Sequence, residues 1–155
     1  MNLILDLDGT LITDIYNPFM NVRIPYSRPY LKEFLSYVFS KFQNVGIWTN
    51  ANNEWYYCVY NQILSKYLPE GKQFSFVYVR RNECLEPRPK PLTRIYEMYP
   101  NIYNNTNTYI IDDSPFTYMY NVENAIHINT YNIYNAGTDC DLLHMIRYLE
   151  QHFFS

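Results

Sequence analysis

Cysteine is scarce and scattered in this chain. Its three cysteines, Cys58, Cys84 and Cys140, form no Cys-x-x-Cys pair. That argues against a zinc site and against a disulfide framework, and it points to a reducing, intracellular compartment. Long apolar runs are missing too: none approaches the roughly 18 residues needed to cross a bilayer. The first residues lack the basic and apolar segments of a secretory signal. There is no excess of basic charge either. Lys and Arg number 12 against 15 Asp and Glu, for a net charge of −3, so the chain has no global signature of a nucleic-acid binder. Only four of its 155 residues are glycine, and no repeat or low-complexity linker interrupts it. This length and an apolar content near half suit one domain over 1–155 with a single sizeable core.

What is present in excess is tyrosine, 18 residues spread along the whole chain. An even spread, with abundant Asn and Ile, fits AT-rich coding such as that of a large DNA virus or a parasite better than it fits one binding surface. The apolar pattern is more telling. Residues 2–7 read as a buried strand, and 9–26, with Gly9, Pro18 and Pro25, as irregular loop. Ser27 and Pro29 suggest the cap and first turn of a helix over 29–43, with Leu31, Phe34, Leu35, Val38 and Phe42 on one face. Further strands are expected over 44–50, 73–79, 107–115 and 125–129. Helices are expected over 52–67, within 86–100 after a Pro-broken loop, and from Thr138-Asp139 onward with Leu142, Leu143, Ile146 and Leu149 inside. Strand and helix alternate, and the strands are continuous apolar runs. This pattern predicts an α/β fold: a parallel sheet with helices on both faces.

In such a sheet, ligands bind beyond the carboxyl ends of the strands. Asp6, Thr49 and Asp112 each stand where an apolar run stops, so three polar residues from three strands should meet at one edge. Asp6-x-Asp8 and Asp112-Asp113 supply carboxylates suited to a hard cation such as Mg²⁺. Asp6 is a candidate nucleophile and Asp8 a candidate general acid and base. The Thr49 hydroxyl and the N–H groups of Asn50 and Ala51, entering a helix, form a candidate oxyanion site. Lys90 can neutralise phosphate charge. Together they describe a site for phosphoryl transfer.

The motifs that carry this site resemble a known superfamily. "DLDGTL" resembles the first motif of the haloacid-dehalogenase-like (HAD-like) phosphohydrolases. "WTNA", "KPLTRI" and "IIDDSP" resemble their second, third and fourth motifs, in the same order. "RPYLKEFL", "KPLTRI" and "DDSP" followed by "NAIHI" are similar to one branch, the FCP/SCP phosphatases that act on the C-terminal tail of RNA polymerase II. Nearly the whole chain is covered. The resemblance implies a capless Rossmann-like fold and an Mg²⁺-dependent phosphatase working through an aspartyl-phosphate. Asp6 would be the nucleophile. Asp8 would be the acid and base, with its backbone carbonyl on Mg²⁺. Asp112 and Asp113 would be metal ligands, Thr49, Asn50 and Lys90 would bind the phosphoryl group, and Thr10 would support the loop. Gly9 and "WTNA" depart from the branch, which commonly has Glu and Thr-Ala-Ser there.

Neither the Asp6–Thr49 interval nor the Thr49–Lys90 interval has room for a large cap, although 66–86 has room for a small strand insert. An open site resembles those of family members that act on phosphoproteins or other macromolecules, which implies serine or threonine phosphate on a flexible protein segment. A small-molecule or polynucleotide-end phosphatase is the alternative, and a non-catalytic phosphoprotein-binding module a third reading. The charge balance argues against nucleic acid, and nothing in the sequence sets the oligomeric state. Arg80 and Arg81 are as well placed for an exposed loop as for an acidic substrate. Trp48 and Trp55 read as packing, His127 and His144 as structural, and Asp14 has no assigned role.

Overall fold

Leu3, Ile4 and Leu5 are all fully buried, because strand β1 (Asn2–Leu5) runs through the middle of a sheet with apolar layers on both faces. This computed structural model describes residues 1–80 and 86–155. A hairpin of β2 (Ile12–Asn17) and β3 (Val22–Ser27) follows β1, and helix α1 (Leu31–Lys41) leads to β4 (Asn44–Trp48). Helix α2 (Asn53–Val59) continues through a π-helical stretch, Tyr60–Leu64, into α3 (Ser65–Tyr67). Then come β5 (Val77–Tyr78), α4 (Thr93–Met98), β6 (Thr108–Asp112), β7 (Ala125–His127) and α5 (Asp141–Leu149). β1 pairs in parallel with β4 on one side and β6 on the other, and the five-stranded order is β5-β4-β1-β6-β7.

Successive side chains of a strand point to opposite faces, and the core divides accordingly. Leu3, Leu5, Val45, Ile47 and Ile111 pack with buried residues of α1, α2 and α5. Ile4, Trp48 and Ile110 pack on the other face with Leu92, Ile95, Phe76 and Tyr103. That second face is closed largely by aromatic rings. A Cβ on Gly46 would lie 2.3 Å from Cε1 of Phe76, so glycine is what lets this ring lie against β4. Phe76 in turn stacks on Tyr99 at 5.5 Å and meets Tyr103 edge-on at 5.4 Å.

The structure corrects the sequence reading at several places. The stretch 9–26 is not irregular but carries the antiparallel β2–β3 hairpin. Pro25 is tolerated because this two-stranded ribbon leaves outer edges that need no ladder bond. The Asn17 side chain closes the turn by accepting from the Phe19 and Met20 N–H groups. Ser27 ends β3 and caps nothing; α1 begins at Leu31, after Tyr30 in a left-handed conformation. The strand expected over 73–79 shortens to two residues. Helix α5 starts at Asp141, because the Asp139 carboxylate is turned to Arg28 and accepts the Asp141 N–H. Its buried residues are Leu142, Met145 and Leu149, with Leu143 and Ile146 only half-buried.

Candidate active site

The chain steps from β1 to β4 and β5 in one direction, then to β6 and β7 in the other. The crevice between β1 and β6 is therefore the switch point of the sheet, where ligands bind in open α/β folds. Leu5 pairs with both Ile47 and Ile111, so the next residue, Asp6, is level with Trp48 and Asp112. Thr49 follows one residue on, where its N–H donates to the Tyr78 carbonyl. A cleft of about 390 Å³ opens there, lined among others by Asp6, Asp8, Thr49, Asn50, Lys90, Asp112 and Asp113. All seven residues picked from the sequence thus come together at one edge.

At the centre, the buried Lys90 ammonium donates to Asp6 Oδ1 at 2.8 Å and to Asp112 Oδ2 at 2.7 Å. Thr10 Oγ1 donates to Asp6 Oδ2 at 2.8 Å, and the Ser114 N–H to Asp112 Oδ1 at 3.0 Å. Asp113 lies beside them: one carboxylate oxygen each from Asp6, Asp112 and Asp113 falls within a 4.8 Å span. Asp113 also accepts from Thr130 Oγ1 at 2.8 Å. Its position explains Gly9, since a Cβ there would sit 2.3 Å from Asp113 Oδ2, and the φ of +83° disfavours other residues as well. Burial raises the pKa of Asp6, opposed by Lys90 and reinforced by Asp113. Burial also raises that of Asp112, reinforced by Asp6 and opposed by Lys90. Burial alone would lower Lys90, but Asp6 and Asp112 reverse it and hold the ammonium charged. One ammonium thus faces three carboxylates.

Asp8 stands apart from this cluster. Its Oδ1 accepts from the Trp55 indole N–H at 2.8 Å, and Arg23 Nη2 lies 3.7 Å away. Burial pushes its pKa up to about 6, against the opposing Trp55 hydrogen bond. Thr49 Oγ1 accepts from the Ala51 N–H at 3.0 Å, so that donor is engaged within the turn. The Asn50 side chain points to the loop carrying Lys90: it donates to the Arg88 carbonyl and accepts from the Arg88 N–H. Its amide ties that loop down. Arg80 lines the cleft, while Arg81 and Cys84 lie outside the described residues.

Sequence reasoning missed two contributions. Trp55 was read as packing, yet its indole N–H holds Asp8, and the Asn52 cap of α2 places it there by accepting the Trp55 N–H. Arg28 was read as part of a helix start, yet its side chain is fully buried and donates to the Gly9 and Thr10 carbonyls beneath the first motif. An arginine beside proline in "RPYLKEFL" was the available signal.

The parallel sheet, its switch-point crevice and the paired aspartates define the HAD-like fold. The chain superposes with a TM-score of 0.59 on an arginine-to-alanine variant of the fission yeast RNA polymerase II CTD phosphatase Fcp1 bound to beryllium fluoride. That match has 16% identity and covers 96% of this chain and 49% of that one. Residues 1–154 match the model of the NLI interacting factor-like phosphatase family, and the chain belongs to that family. It is 26% identical over 158 residues to the ubiquitin-like domain-containing CTD phosphatase of Arabidopsis thaliana, covering 95% of this chain and 45% of the relative. It is 24% identical over 176 residues to the CTD phosphatase-like protein 355R of Invertebrate iridescent virus 3, covering 96% and 94%. The chain thus spans about half the length of the plant relative and nearly all of the viral one. Among the described residues, no helix is long and apolar enough to cross a membrane.

Proposed function

We propose that this chain hydrolyses phosphomonoesters, and that its substrate is a phosphoserine or phosphothreonine on a flexible protein segment such as the RNA polymerase II tail. The observation that carries the reading is the cluster of Asp6, Lys90, Asp112 and Asp113 at the switch point, with Asp8 two residues from Asp6 in the same cleft. The family membership and the names of the relatives support it.

The chemistry follows from the residues. The Asp6 carboxylate attacks phosphorus, and the bond from phosphorus to the leaving oxygen breaks. Asp8 gives its proton to that oxygen, which departs as an alcohol. Asp8, now a carboxylate, takes a proton from water as the water attacks the phosphorus of aspartyl-phosphate. Inorganic phosphate leaves and Asp6 is restored. Lys90, with Thr49 and the Asn50 main chain, holds the phosphoryl oxygens.

The donor set also fits Mg²⁺. Three carboxylates within 4.8 Å, only partly neutralised by one ammonium, are hard oxygen ligands with negative charge to spare. Asp6, Asp112 and Asp113 would hold the ion, which when bound neutralises phosphate charge and draws it to Asp6. The Asp8 carboxylate, turned to Trp55, leaves only its carbonyl for that role.

An open cleft without a covering domain among the described residues favours a macromolecular substrate. The test is a comparison of kcat/KM for a phosphoserine peptide, a nucleotide and a 3′-phosphorylated oligonucleotide. The peptide is expected to lead by at least tenfold. Equal or better turnover of either other substrate overturns the protein-phosphatase reading.

A further inference from the structure

The hairpin, the first turn of α2 and the loop after β1 come together through four side chains. Asp14 on β2 accepts from Arg23 Nε on β3 at 2.9 Å. The Arg23 guanidinium lies over the Trp55 ring, 3.8 Å from its centroid. Trp55 Nε1 donates to Asp8 Oδ1 at 2.8 Å, with Arg23 Nη2 at 3.7 Å from the same oxygen. A planar guanidinium on an indole face is a favourable stack, so Arg23 shields the indole and fixes its tilt. Asp8 and Arg23 both line the cleft.

The choice of oxygen has a chemical consequence. An indole N–H only donates. The better acceptor of a protonated carboxyl is its carbonyl oxygen, so the indole N–H favours Oδ1 as the unprotonated one, and the Arg23 cation 3.7 Å from the same oxygen favours negative charge there. Oδ2 of Asp8 makes no hydrogen bond among the described residues. We propose that Trp55, clamped by Arg23, is a positioning residue for proton transfer: it fixes Asp8 Oδ1 as acceptor and leaves Oδ2 as the atom that gives the proton to the leaving oxygen. This rests on the phosphatase reading above and adds to it a division of labour within one carboxyl. The hairpin thereby joins the active site, although its sequence carries none of the four motifs.

The test uses leaving groups. 2,4-Dinitrophenolate leaves without a proton, whereas phenolate needs one. kcat/KM reports the steps through cleavage of the bond to the leaving oxygen, even where later hydrolysis limits kcat. In Trp55→Phe, which keeps a ring but loses the N–H, kcat/KM for phenyl phosphate should fall about 10- to 100-fold, the lower part of the range for general-acid catalysis. That for 2,4-dinitrophenyl phosphate should change by no more than about threefold, because little proton transfer is needed there. Arg23→Ala should show the same contrast at smaller size. Its half-exposed side chain makes it the variant to rely on if Trp55→Phe does not fold. Equal losses on both substrates, or no loss on phenyl phosphate, overturn the positioning role and leave the phosphatase reading standing. A wild type unable to hydrolyse 2,4-dinitrophenyl phosphate sinks both.

Discussion

Two buried cations, each held by carboxylates, lie on either side of the first motif, and they differ in how completely they are answered. Arg28 donates to both oxygens of Asp139 at 2.9 Å, to Asp141 at 3.2 Å and to the carbonyls of Gly9, Thr10 and Asn129. Every edge of the guanidinium is used, and the carboxylates and carbonyls it meets come from the first-motif loop, the end of β7 and the start of α5. Lys90 binds Asp6 and Asp112, while a third carboxylate, Asp113, stands beside them at the cleft. The first cluster is saturated and ties segments together. The second carries a greater surplus of negative charge in a place where burial makes that charge costly, so it favours a cation. A buried ion pair alone is poor evidence of function; what separates the two is the larger carboxylate excess at the cleft, three to one ammonium against two to one guanidinium.

The largest expected effect separates chemistry from stability. Asp6→Asn should cost about 10⁴-fold or more in turnover, as loss of a nucleophile does. Its thermal midpoint should stay level or rise, because a carboxyl whose pKa burial has raised gains from losing its charge. A folded Asp6→Asn with wild-type turnover would end the comparison. Arg28→Met should do the reverse of sparing the fold, with a loss of about 3–5 kcal/mol in urea unfolding from a broken buried pair. A loss under about 1 kcal/mol, the scale of an exposed pair, would mean that the saturated cluster is not structural. Mg²⁺ sharpens the contrast. At about 100 times its dissociation constant it should add about 2.7 kcal/mol to wild-type stability. EDTA should remove the gain, and Asp113→Asn should blunt it. The smallest effect lies away from both clusters. Gly46→Ala forces Phe76 aside and should cost about 1–3 kcal/mol while turnover per folded molecule stays unchanged.

The candidate edge was legible because carboxylates at the ends of apolar runs are conspicuous, and continuous apolar runs alternating with helices mark a parallel sheet. Asp6, Thr49 and Asp112 could each be picked that way, whereas Lys90, in a Pro-broken loop, was picked as a cation able to neutralise phosphate and by its "KPLTRI" motif. The hairpin was hidden because Gly9, Pro18 and Pro25 dominate its local signal, whereas the pairing of Ile15 with Ile24 is a contact between segments. Arg28 and Trp55 were hidden for a related reason. Their partners, Asp139 and Asp8, lie 111 and 47 residues away in the chain, and no periodicity encodes such distances. The start of α5 shifted for the same cause, since Asp139, expected within the helix start, is turned to Arg28.

The most direct measurement is hydrolysis of para-nitrophenyl phosphate by the wild type and Asp6→Asn, each with Mg²⁺ and with EDTA. The account predicts turnover in the wild type with Mg²⁺ alone, with none in EDTA and none in Asp6→Asn. A folded, Mg²⁺-supplied wild type without activity, or activity that survives Asp6→Asn, would contradict it.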